Sequence, residues 1–183
     1  VLQDELSPLR YSDIAWADHD RDGDLDLIVN GMTPAGNTST ALYANERING
    51  ARIGSPLGSR AVLELDSPNT ARLINLNQGS VSWGDIDGDG YTDLYITNYG
   101  PNNLYRNLGD RTFANLTSSS GTGNPEYGTG AAFLDYDGDG DLDLYVTNFF
   151  RESNTLYRND GTVGFVDWTV SAGLKAPTMT RLG

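Results

Sequence analysis

The sequence predicts an all-β fold of about three similar four-stranded antiparallel units, and three observations carry that prediction. An acidic loop recurs three times, as DHDRDGDLDL (18–27), DIDGDGYTDL (85–94) and DYDGDGDLDL (135–144). Short segments rich in Val, Ile, Tyr, Phe and Trp recur in register around each copy. Gly, Asn, Asp and Ser separate these segments, as turns separate strands. No helix is needed to account for the pattern.

Each element can be placed by its position relative to the loop. The first aspartates, at 18, 85 and 135, are spaced by 67 and 50 residues. Before each loop stand SDIAWAD (12–18), SVSWGD (80–85) and GAAFLD (130–135), where Ile14/Trp16, Val81/Trp83 and Ala131/Phe133 alternate with the period of a strand. We expect Trp16, Trp83 and Phe133 to fill the space between sheets. After each loop come DLIVNG, DLYITNYG and DLYVTNFF, the second strands. The third strands are ALYANE (41–46), NLYRNLG (103–109) and TLYRNDG (155–161), with Tyr105 and Tyr157 as packing residues. RTFANLT (111–117) and VGFVDWT (163–169) supply fourth strands.

Four strands in about 50 residues match a β-propeller blade. The expected organisation is a tail strand of a preceding blade (1–11), blade 1 with insertions (12–78), blade 2 (79–127), blade 3 (128–174) and a lead into a following blade (175–183). The insertions fall around GMTPAGNTST and GSPLGSRAVLELDSPNTARLINLNQG, where AVLELD and ARLINL also read as strands. Closed propellers have roughly four to eight blades. Three blades imply a partial propeller, read either as a fragment of a longer chain or as a ring completed by association with copies of itself. The chain opens at Val1 with neither an initiator methionine nor a signal peptide, so it is read as a processed or partial product.

Composition narrows the function classes. The formal net charge of −13 argues against nucleic acid and anionic membranes as partners, which need a basic footprint. No run approaches the ~20 apolar residues of a membrane-spanning helix. The absence of cysteine excludes disulfides, thiolate metal sites and a cysteine nucleophile. The loops hold five, four and five aspartates, fourteen of the 25 acidic residues, a clustering that points to cation sites.

In D-x-D-x-D-G-x-x-D, aspartates at positions 1, 3 and 5 turn inward around the bend that the glycine permits. Position 7 offers a backbone carbonyl and position 9 closes the set. The candidate ligands are Asp18, Asp20, Asp22, Asp24 (carbonyl) and Asp26; Asp85, Asp87, Asp89, Tyr91 (carbonyl) and Asp93; Asp135, Asp137, Asp139, Asp141 (carbonyl) and Asp143. Oxygen donors without nitrogen or sulfur suit Ca²⁺ in three sites, better than Zn²⁺ or Mg²⁺. Asp-Gly hairpin turns alone need one or two such residues, not four or five at fixed offsets three times. An EF-hand fails because position 12 is Val29, Ile96 or Val146 and strands flank the loop.

With SVSWGDIDGDGYTDLYITNYGPNNLYRNLGDRTFANLT (80–117) and GTGAAFLDYDGDGDLDLYVTNFF…NTLYRNDGTVGFVDWT (128–169), the chain resembles the FG-GAP/VCBS-type repeats of integrin α-like β-propellers, in the style of cartilage acidic protein. SDIAWADHDRDGDLDLIVNG…ALYANE is a looser copy, departing at His19 and Arg21. The resemblance implies calcium in the hairpin between the first two strands of each blade, in an extracellular or cell-surface protein.

Recognition of a protein or carbohydrate ligand is the expected function. Tyr99, Phe149, Phe150 and Arg151 are the candidate ligand face at the end opposite the metal hairpins, although packing against neighbouring blades accounts for the aromatics equally well. A structural matrix or filament subunit self-associating through blade edges, and a polysaccharide-active propeller enzyme, are the alternatives. Catalysis has little support: His19, the one histidine, is expected as an exposed loop residue, and no nucleophile or phosphate-loop motif occurs. Asn37 and Asn115 open N-glycosylation tripeptides.

Overall fold

The computed structural model describes residues 8–47, 61–70, 73, 79–149, 152–161 and 164–174. It contains three four-stranded antiparallel sheets, each in simple sequence order. The first comprises β1 (Arg10–Ala17), β2 (Asp26–Met32), β3 (Thr38–Arg47) and β4 (Ala61–Leu65). The second comprises β5 (Val81–Gly84), β6 (Asp93–Asn98), β7 (Gly100–Asn107) and β8 (Phe113–Asn115). The third comprises β9 (Gly128–Leu134), β10 (Asp143–Asn148), β11 (Thr155–Asn159) and β12 (Phe165–Asp167). The expected all-β class and four-strand unit are therefore observed. AVLELD supplies β4, whereas ARLINL lies almost wholly outside the described residues.

Two single-turn helices were not expected: α1 (Ser67–Thr70) and α2 (Thr117–Ser120), each following a fourth strand. Beside them, and again after β12, one closure of the sheet edge recurs. Thr70, Thr117 and Thr169 place a hydroxyl where it accepts the N–H of Leu42, Leu104 and Leu156, each at 3.0 Å. Winding the chain back in this way pairs third-strand groups that the short fourth strand leaves behind.

Strand alternation sets the packing between sheets. Leu94 and Ile96 of β6, with Val81, Tyr105 and Phe113, face Ile28 and Leu42 of the first sheet. The intervening Tyr95, with Leu104, faces Leu144, Val146 and Tyr157 of the third. Each sheet thus presents one set of second-strand residues backwards and the other forwards. Trp83 and Phe133 pack against these two cores as expected. Gly84 belongs to the second contact, since a Cβ there would stand 2.7 Å from the Phe133 ring.

Trp16 corrects the expectation of a core residue at all three positions, for it is 49% exposed. It lines a concavity on the backward face of the first sheet with Ile14, itself exposed. Trp83 and Phe133 are covered only because another sheet stands behind each.

Polar links join the sheets in register. Asp13 accepts the Ser80 hydroxyl at 2.8 Å and the Val81 N–H at 3.0 Å. At the other end, the Asn107 side chain donates to the His19 carbonyl at 2.7 Å, and Asn159 donates to the Ile86 carbonyl at 2.8 Å. Both asparagines end the third strand of one sheet, and both acceptors are position 2 of the preceding acidic loop. Losing such a buried bond and stranding its partner costs about 1–3 kcal/mol. Asn107→Ala and Asn159→Ala should each lower unfolding free energy by that amount in urea titrations; a change below about 0.5 kcal/mol contradicts the link.

Candidate metal centre

The three acidic loops occupy the hairpins between the first and second strands, at one end of all three sheets. Their internal geometry is nearly identical. The carboxylate at position 1 accepts the N–H of the position-6 glycine: Asp18 from Gly23 at 3.1 Å, Asp85 from Gly90 at 2.9 Å, and Asp135 from Gly140 at 3.3 Å. Position 3 accepts from position 5, and position 5 accepts from position 7 at 2.9 Å in every copy. The glycines themselves have φ of 91°, 89° and 99°, a conformation that side chains resist.

Position 9 has a larger role than ligand spacing alone suggests. Asp26, Asp93 and Asp143 are essentially buried. In each, Oδ2 accepts the N–H of loop position 2: His19 at 3.1 Å, Ile86 at 2.8 Å and Tyr136 at 2.8 Å. Oδ1 accepts the N–H of the third-strand asparagine: Asn45 at 2.8 Å, Asn107 at 2.7 Å and Asn159 at 2.8 Å. One carboxylate therefore ties the loop to the sheet. Sequence reading missed the asparagines, although their recurrence in LYAN, LYRN and LYRN was the available signal.

Carboxylate oxygens from Asp18, Asp20 and Asp22 lie within 4.8 Å of one another, as do those from Asp85, Asp87 and Asp93 and from Asp135, Asp137 and Asp143. Donors around one Ca²⁺ at 2.3–2.6 Å are at most about 5 Å apart, so each group has the spread of a coordination shell. The all-oxygen donor set fits calcium, and the buried Asp18 Oδ1, which has no hydrogen-bond partner, is an acceptor suited to a cation. Asp89 and Asp139 fall outside these groups. Tyr91 lays its ring against Gly109 and beneath the Arg21 guanidinium, 5.0 Å from the ring centre.

Like charge is partly balanced by arginines. Arg106 pairs with Asp87 at 2.5 Å, and Arg111 of the second sheet pairs with Asp20 at 2.6 Å. Burial pushes Asp93 up to about 7 against the pull of the Ile86 and Asn107 N–H groups, with Asp87 and Asp89 adding to the rise.

The first loop differs. His19 is 1% exposed, which corrects the expectation of an exposed loop residue. Its ring stacks on Phe113 at 6.0 Å and lies 6.5 Å from Trp83, filling the seam between the first two sheets. Nδ1 stands 2.6 Å from Asp26 Oδ2, and Nε2 stands 3.7 Å from Asp66 Oδ2. Burial disfavours the imidazolium, but the Asp26 bond and the surrounding carboxylates outweigh it and raise the His19 pKa. Burial likewise opposes ionisation of Asp26, and the His19 side chain and the Asn45 N–H more than offset it, so its pKa is lowered.

At the opposite end, Tyr99 and Phe149 are each 57% exposed. Phe150 and Arg151 lie outside the described residues. Tyr127, not singled out from sequence, stacks on Tyr99 with ring centres 4.0 Å apart and planes 2° from parallel. The Phe149 N–H donates to the Tyr127 carbonyl at 2.8 Å, so loops of the second and third sheets meet in one aromatic patch. Asn37 and Asn115 are both exposed.

The raised Asp93 pKa gives a test with a definite sign. An acid shifted from about 4 to about 7 is favoured protonated in the fold, so its contribution becomes unfavourable as pH rises from 4 through 7. A cation beside it reverses that shift. Calcium binding at pH 7 should release about half a proton from this site, and almost none at pH 8.5. Calorimetric titration in buffers of different ionisation enthalpy measures this, and pH-independent release contradicts it.

No curated protein matches the chain. Residues 85–146 match the family model of the FG-GAP-like repeat, a span from the first aspartate of the second acidic loop into β10. Both loops in that span are copies of one hairpin with one hydrogen-bond pattern, and over these residues the chain is similar to an FG-GAP-type repeat.

Proposed function

We propose that the chain is a calcium-dependent binding module of an extracellular or cell-surface protein, with calcium holding one end of the sheets and a ligand engaging the other. The observation that carries the calcium half is that three loops sharing one hydrogen-bond pattern each bring three carboxylates within 4.8 Å of one another. Carboxylates about 4 Å apart repel by roughly 1 kcal/mol per pair even in water. A divalent ion converts that repulsion into a brace, and the position-9 aspartate passes the brace to the sheet.

With an extracellular-module affinity of about 0.1 mM and about 1 mM free calcium, each site adds about 1.4 kcal/mol of stability. Two such sites raise the melting temperature by roughly 5 °C or more at this chain length. Scanning calorimetry in calcium and in chelator measures this, and identical melting temperatures overturn the calcium reading.

The Tyr99, Tyr127 and Phe149 patch supports a glycan or protein ligand, since exposed aromatic faces offer flat apolar area with a polar handle. Glycan-array or pull-down binding should appear in calcium and fall at least tenfold in Tyr99→Ala and Tyr127→Ala. Binding that survives both substitutions places the ligand elsewhere.

A second reading is assembly of copies. The backward face of the first sheet exposes Ile14 and Trp16, the positions that Val81 with Trp83 and Ala131 with Phe133 use against a preceding sheet. The third sheet's forward face, with Tyr145 and an exposed Val166, is the counterpart in a second copy. Head-to-tail joining of two copies gives six blades, within the range that closes.

A further inference from the structure

We infer that the first acidic loop is not an equal third calcium site, because His19 takes the place on Asp26 that a metal ion takes on Asp93 and Asp143. The inference rests on the calcium reading above and divides the three loops into two strong sites and one weak one.

The argument is a count of lone pairs. A carboxylate oxygen has two acceptor positions. In the second and third loops the position-9 Oδ2 accepts one N–H, from Ile86 or Tyr136, which leaves one position toward the loop interior. Those two carboxylates belong to the groups of converging oxygens. In the first loop the same atom accepts the His19 N–H and also faces Nδ1 at 2.6 Å, where the ring must donate to a carboxylate. Oδ1 accepts the Asn45 N–H on the third-strand side, as its counterparts accept Asn107 and Asn159, so the difference between the loops lies at Oδ2. Asp26 is correspondingly outside the first group, which is built from Asp18, Asp20 and Asp22 instead. The closing ligand, which adds both charge and rigidity to such loops, is withdrawn.

Protein contacts replace what the metal would brace. His19 is wedged against Phe113, Arg111 pairs with Asp20, and Arg21 lies over Tyr91, so the first loop is held by the second sheet from three directions. Arg21 does this at φ 61°, where the other loops have Gly88 and Gly138. Asp18 Oδ1 still lacks a hydrogen-bond partner, so a cation can be held there by Asp18, Asp20 and Asp22 without the ninth-position Asp26.

Equilibrium dialysis and calorimetric titration with calcium alone, on the whole chain at 0.15 M salt, test the inference. Two ions should bind with similar affinity and a third at least tenfold more weakly. Asp22→Asn should remove only the weak step, and His19→Ile, which installs the residue of the second loop, should bring the third ion within about threefold of the others. Three equivalent ions in the unaltered chain, loss of a strong step in Asp22→Asn, or an unchanged weak step in folded His19→Ile overturns it. If His19→Ile does not fold, the unaltered chain and Asp22→Asn decide. No calcium binding at all fails the calcium reading itself, a different result from three equal sites.

Discussion

A single buried carboxylate, the ninth residue of each acidic loop, carries the constraint on which the rest depends. It accepts one N–H from within its loop and one from the third strand, so the hairpin cannot shift register without stranding a buried charge. In the second and third sheets the asparagine that supplies the second N–H reaches with its side chain to the preceding loop. Acidic loop, sheet and neighbouring sheet are thus connected through two adjacent side chains. Other features of the unit, including the threonine closure and the alternating faces, position this connection.

The same network explains why the units can diverge. In the second and third, the loop interior gathers charge around the ninth aspartate, and burial, with the Asp87 and Asp89 charges adding to it, keeps Asp93 from ionising freely near neutral pH. In the first, an imidazole and two arginines supply the opposing charge and contacts from the protein itself. One scaffold accommodates both because the backbone hydrogen bonds are unchanged. The substitutions alter what faces the carboxylates and leave the loop path intact.

Much of this was legible in the sequence, where period-2 segments and thrice-repeated loops fixed the sheets, their order and the hairpin positions. Trp16 was misplaced because periodicity gives the face of a strand and says nothing about whether a neighbour covers it. His19 was misplaced because loop position alone does not set burial: Ile86 at the same position is buried, whereas Tyr136 is 44% exposed. The Asn107 and Asn159 links join residues 88 and 73 positions apart, a separation at which no local pattern is visible. Tyr127 was hidden in a Gly-rich linker and acquires meaning only beside Tyr99.

Amide hydrogen exchange at the residues that bond the ninth aspartates is the most direct measurement of this account. The N–H groups of Ile86, Asn107, Tyr136 and Asn159 should be strongly protected in calcium, and all four should exchange faster together when calcium is withdrawn. Exchange of these amides at the rate of exposed loop residues in calcium, or protection indifferent to chelator, would contradict the claim that the aspartate couples the acidic loop to the sheets.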